Sequence, residues 1–446
     1  MQLSQNRQIK KHISLTQTLG TSETGAISVI FGLSLAILIG TMALMIDVAR
    51  VFTVKSHLVN FSESTALAVA RNLNFLADGE IDDFATDIAS SMARNTSVFT
   101  FGGGPFATTT TVVTASGKAS VTIKTAVPTT LLRFFSLSDD INVSQTVTAY
   151  QYAPDAEIAI VLESSQEMQQ SGKMNTARAA VKEFIGIFAG HSKLKSGATF
   201  GFIPFGSKLM NVAPHTEWLE AGSWPTEIPP NVPGTTGWNG DLADDRWCIL
   251  RRSGVAGQSD LTPAQSPFQL ELDIQKQEEG GGIPHYANIT SSDCRHEPIF
   301  PIADNTNILI QSVSSLSGNG GVYAGWAMVW AERLLSPLWQ SFWQTRTGTP
   351  ASYENEAIQK VVILIVGSSN TEPGTEDILF QNVCDRLKSK GVTIYVVDYL
   401  APESISGLLT GCATTTGHYF RADNDKNVSE ALYAIAKFLT VVRFSG

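Results

Sequence analysis

Three hydrophobic patterns follow one another along the chain. The first is an unbroken apolar run, 26–46, which carries no charged residue and is dominated by Ile, Leu, Val, Met and Phe. At about 1.5 Å per residue it spans the roughly 30 Å hydrocarbon core of a bilayer, which predicts a transmembrane helix. Residues 51–76 then contain neither Gly nor Pro, and Leu58, Phe61, Thr65, Ala68 and Leu73 keep a rough helical period. This predicts that the helix runs on over 47–76, beyond the lipid.

The second pattern has period two. From about Asn95 to Ala149, Thr and Val alternate in TTTTVVT, ASVTIKT and INVSQTVTAY, with turn glycines such as Gly102, Gly103 and Gly104. Such alternation predicts strands, so 77–154 reads as a small β-rich segment. In the third pattern, from Glu157, short apolar strands alternate with amphipathic helices. Residues 158–162, 199–205, 361–366 and 392–397 read as strands. Met174, Ala177, Val181, Phe184, Ile185 and Phe188 mark one face of a helix; 324–335, the stretch bearing Ile378, Leu379, Val383 and Leu387, and 427–439 mark others. This predicts an α/β domain over 155–446 with a mostly parallel sheet covered on both faces, whose ligands sit at the carboxyl ends of the strands. A stretch at about 214–301, rich in Pro, Gly, Trp and Asp and without sustained periodicity, reads as an ordered insertion.

Charge orients the first helix. Arg7, Lys10 and Lys11 precede it and only Glu23 opposes them, so 1–25 is expected in the cytoplasm and everything after Asp47 outside. A cleaved signal peptide fits less well, because the run is too long for an h-region and no small-x-small site follows it directly. Ser28, Gly32, Ala36 and Gly40 recur every fourth residue on one helix face, where small side chains would let another helix approach; self-association is the expected consequence. The net charge of -10 argues against nucleic acid, which needs Lys and Arg to neutralise phosphates. An even count of cysteines, Cys248, Cys294, Cys384 and Cys412, suggests two disulfides on the exported side, with three pairings open. Zinc at His285, Cys294 and His296 is the weaker reading, since the spacing is irregular.

Neither a P-loop nor a dinucleotide fingerprint occurs, and Ser368 and Ser369 lack a nucleophile elbow. Glu163 and Glu167 lie close in sequence, but nothing supplies the apolar pocket that would separate two carboxyl pKa values for acid–base work. No catalytic residue and no cofactor are therefore expected. Trp218, Trp224, Trp238 and Trp247 of the insertion are candidates for contacting a protein partner, because large amphipathic rings are favoured at interfaces.

A long helix half in lipid and half in a soluble head resembles the type IV pilins. More specifically, the stretch from Gly25-Ala26 through the apolar run, Asp47 and the Ala-rich 66–70 resembles the N-terminal anchor of TadG-type Tad/Flp pilus-assembly proteins. The α/β region resembles a von Willebrand factor A domain, through AEIAIVLESS, AGWAMVWAERLLSP, KVVILIVGSSNT, CDRLKSKGVTIYVVDY and LLTGCATTTGHYF. The variant at 326–337, with Gly417 to Phe420, is similar to the pilus-linked subgroup. The resemblance implies a Rossmann-like fold and a single-pass protein of a Gram-negative inner membrane with a periplasmic body. It also implies a non-enzymatic scaffolding role in a tight-adherence pilus or related secretion machine, with pseudopilins and the inner-membrane platform as partners. The alternatives are a surface-displayed adhesin or a metal-dependent binding or sensing domain, and processing by a prepilin-type peptidase near 23–25 stays open. The favoured bridges are Cys248–Cys294, within the insertion, and Cys384–Cys412, tying a helix to the loop after the next strand; the resemblance points the same way.

The resemblance further implies a divalent metal at the top of the sheet, held by Asp-x-Ser-x-Ser, a later Thr and a following Asp. Here the first motif reads Glu163-Ser164-Ser165-Gln166-Glu167, the Thr position falls in Asn319-Gly320-Gly321, and Val366-Gly367-Ser368 lacks the second Asp. Magnesium requires near-ideal geometry at about 2.0–2.1 Å. The expectation is a degenerate site at Glu163, Ser165, Glu167, Gly320 and Gly367 without functional metal; a rearranged Ca²⁺ site on Glu163, Ser165 and Glu167 is the alternative.

Overall fold

The computed structural model describes residues 23–73, 80–95, 108–115, 118–129, 133, 139–189, 195–220, 248–269, 273–277, 285–289 and 297–444. The chain forms two compact units, one made mainly of residues up to Tyr150 and the other of Gln151–Arg443.

In the first unit a single helix, α1 (Glu23–Asn72), runs for 50 residues. Its first half is largely exposed: Ile27 and Phe31 are 70% and 66% exposed, and the mean hydropathy of the most apolar window is 2.5. Exposure of that much apolar surface fits lipid as the missing neighbour, consistent with a single-pass anchor. In its second half, Val54, Leu58, Phe61, Thr65, Ala66, Val69 and Ala70 are buried at helical spacing. This stripe belongs to a helix that packs against β2 (Lys118–Pro128). There, Ala119, Val121, Ile123, Thr125 and Val127 are buried at the period-two spacing of a strand with one face covered. Flanking β2 are β1 (Thr108–Ala115) and the first part of β3 (Asp140–Glu163), both antiparallel to it. The other face carries hydroxyl pairs, Ser120–Thr148 at 2.8 Å and Thr122–Thr146 at 2.9 Å.

The β-rich reading of 77–154 needs one correction: Glu80–Asn95 is a helix, α2, packed against α1 and β1. It contains neither Gly nor Pro, and Ile81, Phe84 and Ile88 share a face; the Thr/Val alternation begins only beyond it.

The second unit is a parallel sheet with helices on both faces. Continuing along the chain, its elements are α3 (Gln166–Gln170), α4 (Lys173–Phe188), β4 (Lys195–Phe205), β5 (Met210–Asn211), β6 (Cys248–Ile249), β7 (Asp273–Gln277), β8 (His285–Ile289), β9 (Phe300–Ala303) and α5 (Thr306–Ser315). Then come α6 (Ala324–Leu335), α7 (Gln340–Trp343), β10 (Gln359–Val366), α8 (Pro373–Ser389), β11 (Thr393–Tyr399), α9 (Ser406–Cys412), β12 (Tyr419–Ala422), α10 (Asp425–Phe438) and β13 (Val441–Phe444). Strands β4, β3, β10, β11 and β12 lie side by side in parallel, and β9 adds an antiparallel edge to β4. Strand β10 is buried on both faces. Val362, Leu364 and Val366 join α6, α8 and α9 in one core, while Val361, Ile363 and Ile365 join α4, α5 and α10 in the other. Fully burying such a side chain contributes about 1.5–3 kcal/mol, so this double burial is the main source of the unit's cohesion.

The described part of the insertion docks on α6 through aromatic rings around a buried cation. The Arg333 guanidinium lies 4.6 Å from the Trp330 ring centre, 4.9 Å from Trp326, 5.4 Å from Phe268 and 5.8 Å from Trp339. It donates from Nε to Ser259 O at 3.1 Å and from Nη2 to Ala256 O at 3.0 Å. Trp218 is fully buried in the same cluster, stacked on His215 with centroids 4.0 Å apart. It is therefore core to the insertion and not a partner-contacting surface residue; Trp224, Trp238 and Trp247 lie outside the described residues. At the other end of the sheet, Lys360 pairs with Glu157 at 2.5 Å, both buried. A disulfide joins Cys384 of α8 to Cys412 of α9. Cys248 is also disulfide-bonded, and Cys294 lies outside the described residues.

Candidate functional site

The carboxyl ends of β3, β10 and β11 meet at the top of the sheet, where the sequence directs attention. β3 ends at Glu163, whose side chain is fully buried. Its Oε1 accepts from the Ser165 hydroxyl at 2.5 Å, and its Oε2 accepts from the Gly367 N–H, just past β10, at 2.7 Å. Burial pushes the Glu163 carboxyl above its ordinary range, with these hydrogen bonds opposing the shift. Ser165 also caps α3, accepting from Met168 N at 3.2 Å. Glu167 is exposed, and its charge adds to the upward shift of Glu163.

The 318–321 loop closes over these groups. Gly320 O accepts from Gln166 N, and Ser164 O from Asn319 N, each at 3.0 Å. Gly320 holds a φ of +70°, and a Cβ there would come within 2.1 Å of Gly206 O, so only glycine fits. A hydroxyl does reach this loop, from elsewhere in the sequence. Thr371 Oγ1 accepts from Val322 N at 2.8 Å, and a Cβ on Gly321 would lie 2.4 Å from that oxygen. From below, the Lys173 ammonium donates to Gly367 O at 3.0 Å.

Two further carboxylates at this end are likewise engaged. Asp398 at the end of β11 is buried and accepts from Ala401 N at 2.9 Å, the Tyr419 hydroxyl at 2.6 Å and Arg421 Nη1 at 2.9 Å. Glu376 accepts from Trp326 N at 3.0 Å, capping α6, and pairs with Arg251 of the insertion. Among the described residues, no group of three or more His, Cys, Asp or Glu is arranged to hold a metal ion. The structure thus brings together Glu163, Ser165 and the Gly367 backbone, with Gly320 directly above. Sequence reasoning did not find Lys173, Thr371, Glu376 and Asp398. Asp398 sits at a strand end in DYLAP and carried a signal; Thr371 and Glu376 reach the site only through the fold.

In the anchor, Ser28, Gly32 and Ala36 are exposed on α1 and Gly40 is half-buried; nothing lies within 4 Å of a Cβ built on Gly32 or Gly40. Residues 25–72 match the family model described as putative Flp pilus-assembly TadE/G-like. Over these residues the chain is similar to that family. No curated protein matches the sequence. Similar solved structures include the vWF domain of the type V pili tip protein Mfa5 from Porphyromonas gingivalis, at 10% identity and a TM-score of 0.35, covering 64% of this chain and 95% of that one. The adhesive tip pilin GBS104 from Group B Streptococcus agalactiae is similar at 7% identity and a TM-score of 0.38, over 77% and 70% of the two chains. Proximal thread matrix protein 1 from the mussel byssus follows at 10% identity and a TM-score of 0.31; the match takes in 66% of this chain and spans 49% of that protein.

Proposed function

We propose that this chain is a non-enzymatic component of a tight-adherence (Tad/Flp) pilus assembly or related secretion system, anchored in the inner membrane with its α/β body in the periplasm. The observation that carries the reading is the TadE/G-like match over 25–72, on a helix largely exposed in its first half and packed against β2 in its second. The partners are other pilus-assembly proteins, pseudopilins and the inner-membrane platform, met through the helix and through the body. The small-residue face of Ser28, Gly32, Ala36 and Gly40 is the surface on which a second membrane helix would pack closely.

The body acts by binding, without catalysis or metal. Glu163 is a methylene longer than an Asp, and that reach takes its carboxylate to the Gly367 N–H and the Ser165 hydroxyl. Both oxygens are occupied by protein donors, so the top of the sheet is held together by hydrogen bonds where a cation would otherwise do it. Deleting the gene and scoring surface pili tests the assembly role: loss of pili, restored by the full chain, is expected, and normal piliation refutes it. External protease on intact cells should leave the body intact; ready digestion favours a surface-displayed adhesin. Calorimetry with Ca²⁺ or Mg²⁺ should give no heat of binding, and micromolar binding would overturn the metal-free reading.

A further inference from the structure

Next to the closed sheet top, on the insertion side, lies a cleft of about 180 Å³ lined by Lys208, Leu250, Arg251, Tyr323, Trp326 and Glu372. Lys208 follows β4, Tyr323 and Trp326 open α6, and Glu372 precedes α8, so the cleft opens at the carboxyl end of the sheet. Leu250 and Arg251 are contributed by the insertion. A cleft of that volume has room for a side chain and not for an element of structure.

Its lining is mainly hydrogen-bond donor, two cations and an indole N–H against one exposed carboxylate, Glu372. Lys208 is exposed and presents an ammonium. Arg251 has five N–H donors, and its pairing with Glu376 leaves others at the cleft. The Trp326 indole N–H is buried and has no hydrogen-bond partner among the described residues. Glu376 itself is fully buried and binds both Arg251 and the Trp326 backbone, which fixes the two residues relative to each other. Leu250 and the rings of Tyr323 and Trp326 supply apolar wall. Glu372, the exposed acceptor in the lining, disfavours a second negative charge at the mouth.

We propose that this cleft receives a single acidic side chain, Asp or Glu, presented by an extended segment of a partner protein. Its carboxylate is met by Lys208 and Arg251 and its stem by Leu250, Tyr323 and Trp326. This deepens the protein-binding reading above and rests on it. The test uses the full chain in nanodiscs, with saturation-transfer NMR of N-acetyl-glutamate N-methylamide, its glutamine counterpart and acetate.

The glutamate compound should bind about fivefold more tightly than the glutamine one, and the preference should shrink as salt rises from about 50 to about 500 mM. Lys208→Glu should abolish the preference and Lys208→Arg keep it; because Lys208 is exposed, both variants should fold. Equal binding of the two compounds, or indifference to Lys208→Glu, overturns the site. Acetate binding as well as the glutamate compound overturns the partner segment in favour of a free small carboxylate. Normal piliation in the deletion strain would sink the assembly reading while leaving a positive titration of the cleft standing, so the two failures are separable.

Discussion

Arg333→Met removes the guanidinium around which the insertion is docked while keeping most of the stem volume. Two hydrogen bonds from a charged donor to Ser259 O and Ala256 O are lost, each worth about 1.5–3 kcal/mol. The desolvated contacts with the Trp330, Trp326 and Phe268 faces add about 2 kcal/mol. Against this, Met avoids the several kcal/mol that burying a charge costs. That penalty is real here, because burial holds the Arg333 pKa well below its usual value and Nη1 has no hydrogen-bond partner among the described residues. The balance is a net loss of about 3 kcal/mol, or a fall in Tm of about 6–12 °C at 2–4 °C per kcal/mol. Tryptophan fluorescence during heating measures it, and limited trypsinolysis should show faster cleavage after Arg252 as 253–262 undocks. Arg333→Lys, which keeps the charge and loses the fork, should fall in between. An unchanged or raised Tm, as when apolar residues replace buried charges without loss, would refute the claim that this cation holds the insertion in place.

At the opposite end of the sheet, Lys360→Met strands the buried Glu157 carboxylate and should destabilise by about 3–5 kcal/mol, whereas Lys360→Met with Glu157→Leu should recover most of it; denaturant midpoints compare the two. Replacing Cys384 and Cys412 together by Ala opens a crosslink of sequence separation 28, and the loop-entropy relation predicts a loss of about 3–4 kcal/mol, read from the same unfolding curves. For Glu163, burial raises the folded-state pKa, so its stabilising contribution is complete below the ordinary carboxyl range and is lost as pH rises through the raised value. The wild type should therefore lose stability relative to Glu163→Gln as pH increases from about 4 to about 8; parallel pH profiles would contradict the assignment.

The anchor, the parallel strands and the helices between them were legible in the sequence because each is a local pattern. Residues 361–366 are apolar at every position, short and rich in Val and Ile, the pattern of a strand buried on both faces. Residues 80–95 were read as part of a β segment since their helical face is short and adjoins Thr-rich strands. The short β9 and α5 went unseen for a similar reason, lying just beyond the irregular insertion. The cluster around Arg333 is assembled from Trp218 and Phe268 within that insertion and Trp326, Trp330 and Trp339 beyond it, and no window of sequence brings them together. The Glu at 163 was visible; that its side chain spans to the Gly367 N–H was not, because the span depends on the register of β3 beside β10.

Helix α1 has no proline and no interruption from Glu23 to Asn72. At about 1.5 Å per residue it is a strut some 75 Å long. Tension applied to its exposed apolar end has no hinge in which to dissipate, so it would arrive as shear on the packing between the helix and β2. The buried side chains on the helix, Leu58, Phe61 and Val69 among them, are what would resist that load.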